Sequence, residues 1–257
     1  MESTIVITGG TGRLGKVFSK LLSEKNIAHT ITSRNQPAGI QNWMPMDLGN
    51  GNGMQQALAG KKIVFNLASG TKGPDKNIDV NGTQRLIDAA KQAGIEHFIH
   101  ISIVGIDKVP VSYYKLKLQA EEVVKNSGLP FTILRATQFH EFIHQVLQQF
   151  LFLPFAFLPT KIKIQPVDTH IVADEMLKLI NKQPSNSTFD VGGPEVLELG
   201  HLVNTWKAAQ HKTKWIIHFP TIGKTLKALN AGGLTCPGKS FGGTSWQQWL
   251  NNNYGTA

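Results

Sequence analysis

The sequence predicts an α/β fold, a doubly wound parallel sheet with a smaller C-terminal α/β lobe, and three observations point there. Over about the first 135 residues, short apolar runs alternate with segments of helical period. A glycine-rich turn, Thr8-Gly9-Gly10-Thr11-Gly12-Arg13-Leu14-Gly15, joins the first strand pattern to the first helix pattern. The composition is that of a folded domain: 257 residues, 41% hydrophobic, 17% charged and 25 glycines, too apolar for a disordered chain.

The elements follow in order. Thr4 to Thr8 reads as a buried strand, and Leu14, Phe18, Leu21 and Leu22 then recur at helical spacing. Ile27 to Ser33 is the second strand, the short run before Asp47 the third, and Ile63 to Ala68 the fourth. A helix spans about Ile78 to Gln92, with Leu86, Ala89, Ala90 and Ala93 on its inner side. Ile95 to Ser102 and Phe131 to Arg135 are the next strands, and the helix Tyr113 to Lys125 between them stops at Gly128-Leu129-Pro130. Beyond residue 136 the pattern loosens into a Phe/Leu/Pro-rich stretch over 142–159 and a short strand near Ile162 to Pro166. A helix at Thr169 to Leu179, a strand at Thr188 to Val191 and further helices come after it. The plan is a single domain over 1–257, its core at about 1–150 and its lobe at about 151–257.

Charge and composition narrow the class. No run reaches the roughly 20 apolar residues of a membrane span; the nearest, Phe150 to Leu158, is broken by Pro154, so no membrane partner is expected. The N-terminus has neither a basic leader nor a cleavage site, and one cysteine, Cys236, forms no internal disulfide, which predicts a cytoplasmic protein. No metal-ligand spacing is present. The net charge is +9, and after Glu198 come six lysines and no acidic residue. That basic third suits an anionic substrate, an acidic partner or simple solvation. The four arginines lie elsewhere (Arg13, Arg34, Arg85, Arg135), so nucleic acid is not the expected partner.

The glycine loop satisfies G-x-x-G-x-x-G through Gly9, Gly12 and Gly15, and G-x-G-x-x-G through Gly10, Gly12 and Gly15. Glycine loops also serve simple turns, but a strand before and a helix after make this one the phosphate cradle of a Rossmann-type fold. Thr11, Arg13 and Leu14 fill the cradle, and the helix start offers N–H groups to a pyrophosphate. About twenty residues on stand Thr32-Ser33-Arg34 in place of a ribose-binding carboxylate. A guanidinium suits a 2′-phosphate, which selects NADP(H) over NAD(H), and Arg13 is within reach of the same group.

Tyr113 and Lys117 are spaced i, i+4 on one helix face. An ammonium beside a phenol favours phenolate and proton exchange, although two ordinary surface side chains share the same spacing. Tyr114 has Leu118 four residues on and is the weaker candidate. Ser102 ends the preceding strand, where open α/β sheets bind ligands.

These motifs resemble the short-chain dehydrogenase/reductase superfamily, and within it the atypical NmrA-like NAD(P)-binding proteins. The glycine loop resembles their TGxxGxxG motif, Asp47-Leu48 their adenine-side contact, and Asn66-Leu67-Ala68-Ser69-Gly70 their fourth-strand motif. Tyr113 to Leu118 resembles the YxxxK helix. The likeness continues through Thr132 to Phe139, Gln165 to Asp168 and Phe189 to Pro194. It implies Tyr113 as proton donor, Lys117 on the nicotinamide ribose, Ser102 on the substrate carbonyl and Gln138 beside the nicotinamide. Two departures stand out: Asp79-Val80-Asn81-Gly82-Thr83 has Asp where extended members carry Asn, and the Ser102 to Tyr113 interval is short.

Weaker signals complete the picture. Phe139, Phe142, Phe150, Phe152, Phe155 and Phe157 suit an apolar wall over the cofactor, core packing, or a homodimer contact equally. His140 and His144 share a helix face without a third metal ligand, and Trp246 and Trp249 mark a C-terminal amphipathic helix. The expected function is NADPH-dependent reduction of a small apolar carbonyl or quinone. The alternatives are an NADP(H)-sensing regulator of NmrA type and a nucleotide-sugar epimerase or dehydratase.

Overall fold

The computed structural model describes residues 4–70, 77–150 and 155–255. The first strands and helices are β1 (Ile5–Thr8), α1 (Arg13–Glu24), β2 (His29–Ser33), β3 (Trp43–Pro45), α2 (Met54–Leu58) and β4 (Ile63–Asn66). Next come α3 (Ile78–Ala93), β5 (His97–Ile103), α4 (Ser112–Lys125), β6 (Phe131–Ala136), β7 (Gln138–Phe139) and α5 (His140–Phe150). The remainder is β8 (Phe155–Leu158), β9 (Lys163–Ile164), β10 (Pro166–Val167), α6 (Thr169–Leu179), β11 (Ser187–Val191) and β12 (Leu197–Glu198), then α7 (Leu199–Ala209), β13 (Trp215–His218), α8 (Lys224–Asn230) and α9 (Trp246–Tyr254). They form two compact units. One holds Met1–Ser102, Ser112–Arg135 and Val172–Phe189; the other holds Ile103–Val111, Ala136–Ile171 and Asp190–Ala257.

The first unit carries a seven-stranded sheet in the order β11-β6-β5-β4-β1-β2-β3. Its registers run parallel, with Thr8 level with Thr32 on one side and Asn66 on the other, and Asn66 level with His100. This is the doubly wound sheet expected from the alternating pattern. Because strand side chains alternate, Val6, Val64, Phe98 and Ile133 join α2, α3 and α4 in one buried cluster with Leu58, Leu86 and Ala90. Phe65 faces the other way and meets Phe18 of α1 at 4.6 Å between ring centres, a contact worth about 0.5–1.5 kcal/mol beyond its burial. The helix α4 is tied to β6 by Arg135, whose Nε and Nη2 donate to the fully buried Glu121 carboxylate at 2.8 and 2.6 Å. The strand expected at 188–191 exists as β11, but it closes the edge of this main sheet.

The second unit contains three two-stranded sheets, β10-β7, β12-β9 and β13-β8. The run expected as one strand at 162–166 is two, because β9 pairs with β12 and β10 with β7. Its core gathers Ile143 and Leu147 of α5, Leu158 of β8, Leu202 and Trp206 of α7, and Trp246 and Leu250 of α9. The C-terminal helix α9 opens with a reciprocal capping box, Ser245 with Gln248, and docks its tryptophan side as the pattern predicts. The loosened stretch over 142–159 resolves into α5 and β8, although residues 151–154, Phe152 among them, lie outside the described residues.

Candidate active site

A cavity of about 640 Å³ opens in the first unit at the C-terminal ends of its strands, where open parallel sheets place their ligands. Of the expected cofactor residues, Gly9, Thr11, Gly12, Ser33, Arg34, Asp47, Leu48, Ala68, Ser69 and Gly70 line it. Leu14 and Gly15 are buried behind the loop, and Arg13, exposed as the first residue of α1, is not part of the lining.

The loop is built for close backbone approach. Gly9 takes φ +65°, and a Cβ there would stand 2.8 Å from the Ala68 backbone; one on Gly15 would stand 2.3 Å from the Gly9 carbonyl oxygen. Gly12 caps α1 without a side-chain hydrogen bond and the first turn carries no acidic residue, so neither a capping side chain nor a carboxylate of that turn neutralises the positive end of the helix. Loop, helix start and cavity therefore fit a dinucleotide pyrophosphate. On the neighbouring strand the Ser33 hydroxyl donates to the Asn35 carbonyl at 2.7 Å and accepts from Trp43 Nε1 at 2.8 Å, which fixes the base of the exposed Arg34. Asp47 Oδ1 accepts from the Gly49 N–H at 2.8 Å, holding the Asp47-Leu48 turn against the same cavity.

Under the cavity runs a row of buried polar side chains, Thr8 and Asn66 from the ends of β1 and β4, His100 from β5 and Thr83 from α3. Thr8 Oγ1 donates to Asn66 Oδ1 at 2.7 Å, and Asn66 Nδ2 donates to His100 Nδ1 at 3.1 Å and to Thr83 Oγ1 at 3.3 Å. Thr8 Oγ1 in turn accepts the Ala68 N–H at 3.3 Å. Because Nδ1 accepts, the ring proton sits on His100 Nε2, a buried atom without a hydrogen-bond partner among the described residues. Burial, reinforced by the nearby Lys117 charge, holds His100 well below the usual histidine range and therefore neutral. Thr8 and Thr83 reach the cavity lining itself.

Tyr113, Lys117 and Ser102 are not part of the cavity lining. The Tyr113 hydroxyl nevertheless lies 2.7 Å from Oγ of Ser69, which is. Burial pushes its pKa up, Asp79 and Tyr114 add to that, and the Ser69 hydrogen bond works against it. Lys117 is 3% exposed and donates to the Ile101 carbonyl at 3.3 Å. Burial lowers its pKa, while the Asp79 and Glu121 carboxylates pull it back up. Ser102 Oγ is buried without a hydrogen-bond partner among the described residues. Burial thus dominates the phenol and keeps it protonated at neutral pH.

Gln138 belongs to the second unit, where Nε2 donates to the Leu234 carbonyl at 3.3 Å and Oε1 accepts from the Gln165 N–H at 3.4 Å. The phenylalanines expected as a wall do not share one fate: Phe142, Phe155 and Phe157 are exposed. Residues that sequence reasoning did not assign to the cavity include Thr8, Met46, Gly49, Asn50, Leu67, Ile78, Asp79 and Thr83. A usable signal was there, since two paired parallel strands, β1 and β4, end on Thr8 and Asn66, polar residues that close apolar runs. Asp79, only 5% exposed, accepts from the Gly70 N–H at 3.3 Å, so the Asp that departs from the extended pattern helps shape the cavity lip.

Comparison with known proteins agrees with this geometry. The model of a family described as NAD(P)H-binding matches residues 9–145. The photosystem II assembly factor Ycf39 of Cyanophora paradoxa is 28% identical over 148 residues, covering 54% of this chain and 46% of that protein. Quinone oxidoreductase 2 of Escherichia coli is 25% identical over 142 residues, covering 51% of this chain and 47% of that protein. The chain thus spans under half the length of either relative. Among solved structures, an NADPH-dependent quinone oxidoreductase of Escherichia coli complexed with NADPH superimposes with a TM-score of 0.81 at 18% identity, over 97% of this chain and 99% of that one. No helix among the described residues is long and apolar enough to cross a membrane.

Proposed function

The chain belongs to the NAD(P)H-binding family, within the atypical short-chain dehydrogenase/reductase group its motifs resemble, and from that premise we propose that it is an NADPH-dependent reductase of a small apolar carbonyl or quinone. The observation that carries this reading is the Tyr113 hydroxyl at 2.7 Å from Ser69, which lines the glycine-loop cavity. When bound, the nicotinamide supplies a hydride. The loop from Gly9 to Gly15 and the start of α1 hold the pyrophosphate, Arg34 takes the 2′-phosphate, and Asp47 and Leu48 flank the adenine side. Ser69 orients the phenol, which donates its proton to the carbonyl oxygen as charge develops there. A phenol kept protonated by burial suits reduction better than oxidation. Lys117 would meet the nicotinamide ribose, as the motif resemblance implies, and Ser102, whose buried hydroxyl has no hydrogen-bond partner among the described residues, orients the carbonyl.

A second reading, an NADP(H)-sensing protein without turnover, draws support from Lys117, whose ammonium meets the Ile101 carbonyl and whose charge is not among the influences on Tyr113. One experiment separates the two: NADPH consumption against quinones, aldehydes and ketones, with wild type beside Tyr113→Phe. Turnover that disappears with the hydroxyl supports the tyrosine-assisted reductase. Turnover that survives points to direct hydride transfer to a quinone, with Tyr113 a spectator. Absence of turnover in a protein that binds NADPH would sink the reductase in favour of the sensor.

A further inference from the structure

The parallel pair β8 and β13 in the second unit has an outer face of unusual chemistry. Phe155 stands level with Trp215, Ala156 with Ile216 and Phe157 with Ile217. With side chains alternating, Ala156, Leu158 and Ile216 turn inward onto the cluster around Trp206 and Leu202. The other row turns outward, and a solvated sheet face would carry polar residues there. It carries instead Phe155, Phe157, Trp215 and Ile217, exposed by 51, 63, 78 and 44%, and Ile222 beyond the strand is 68% exposed. A continuous apolar patch of this kind is an interaction surface.

The charges around it indicate the occupant. The segments bearing the patch, residues 155–166 and 211–227, contain Lys161, Lys163, Lys212, Lys214, Lys224 and Lys227 and no Asp or Glu. Of these, Lys212 turns its ammonium over the Trp206 ring and Lys163 stands level with Glu198, which leaves Lys161, Lys214, Lys224 and Lys227 to border the patch. A second copy would bring the same cations to meet themselves across a two-fold contact, which like charges disfavour. An anionic surface would be attracted. Tryptophan and phenylalanine rings exposed beside lysines are the composition that seats at the boundary between lipid headgroups and acyl chains.

We propose that the outer face of β8 and β13, with its lysine border, docks this protein on an anionic lipid bilayer. The contact is peripheral: the rings enter the interface and the lysines pair with headgroups. The expectation of no membrane partner rested on the lack of a span, and a surface contact needs none. The proposal is independent of the reductase reading, because it concerns no residue of the cofactor cavity.

The test is flotation of the full chain with vesicles of phosphatidylcholine alone or mixed with phosphatidylserine, at low and at raised salt. The wild type is expected to float with the anionic vesicles, to stay behind with the neutral ones, and to release as salt rises. Trp215→Ser combined with Phe157→Ser should weaken binding by about tenfold or more, and Lys224→Glu with Lys227→Glu should remove the preference for anionic lipid. Unchanged thermal melting confirms that these exposed positions leave the fold intact, and unchanged NADPH binding separates the result from the cavity. The proposal falls if the wild type ignores anionic vesicles at low salt. It also falls if binding survives loss of the two rings, as a purely electrostatic contact with any polyanion, acidic protein included, would behave. Salt-insensitive dimers that dissolve with Trp215→Ser, without vesicle binding, would overturn it in favour of an interface between copies.

Discussion

Three glycines allow the cost of the phosphate loop to be divided into its physical parts. Gly94, at the C-terminus of α3, has φ +70° with nothing within 4 Å of where a Cβ would lie, so Gly94→Ala isolates the backbone cost. Left-handed alanine costs about 1–2 kcal/mol, and the stiffer unfolded chain offsets about 0.4–1 kcal/mol of it; the net loss is about 1 kcal/mol. Gly15→Ala isolates the collision, because its Cβ would lie 2.3 Å from the Gly9 oxygen and 2.7 Å from Gly10 Cα. Both obstacles are backbone, which puts the cost near the top of the overpacking range, about 3 kcal/mol, less about 1 kcal/mol regained as helix propensity. Gly9→Ala carries both penalties, φ +65° and a Cβ at 2.8 Å from Ala68 Cα and N, and should lose about 3–4 kcal/mol. Urea unfolding of the three variants supplies the stabilities, and titration with NADPH supplies the affinities. Gly9→Ala and Gly15→Ala should bind NADPH weakly, while Gly94→Ala binds as the wild type. If Gly9→Ala costs no more than Gly94→Ala, the loop is not the close-packed cradle argued above.

Other outcomes follow from the same structure. Arg34→Ala should lower NADPH affinity by about tenfold or more, roughly 1.4 kcal/mol, and leave NADH affinity unchanged in calorimetric titration; equal loss for both would remove the 2′-phosphate assignment. Arg135→Ala leaves the fully buried Glu121 carboxylate without its two-pronged partner, and should cost about 3–5 kcal/mol in urea unfolding, with Glu121→Gln in the same chain recovering part of it. His29, His97, His100, His140 and His144 are all pushed down by burial, His97 to about 4. The unfolded chain therefore binds more protons below about pH 6.5, so stability is full above that pH and falls as the pH drops towards 4. Urea midpoints between pH 7 and 5 should decline, and the decline should be shallower in His97→Gln; a flat wild-type profile would contradict the burial argument.

What the sequence discloses depends on how local its cause is. The glycine loop, α1, the strands β1, β2 and β4, and the capped helix α9 are set by spacing and turn chemistry within a few residues, and all are readable there. The cavity lining at Ser33, Arg34, Asp47, Leu48 and Ser69 follows from the same local logic, since each sits at the end of a strand or within three residues beyond it. Thr83 and Asp79 escape it because they join the cavity from one side of α3, a matter of helix docking. The phenol–serine contact between Tyr113 and Ser69 spans 44 residues and depends on how α4 packs. The β8 and β13 pairing is invisible for the same reason: short strands about sixty residues apart share no local signal, and their apolar outer row reads in sequence as core.

The position of β11 in the sheet shapes how the chain is made. Its partner β6 ends at Ala136, yet β11 begins at Ser187, so about fifty residues must be synthesised before that edge is covered. At a ribosomal rate of about 5–20 residues per second, β6 presents an open, apolar edge for several seconds. Unpaired strand edges of this kind are where nascent chains misassociate. The first unit thus closes only after much of the second has emerged, and a chaperone that shields strand edges would act on this protein within that interval.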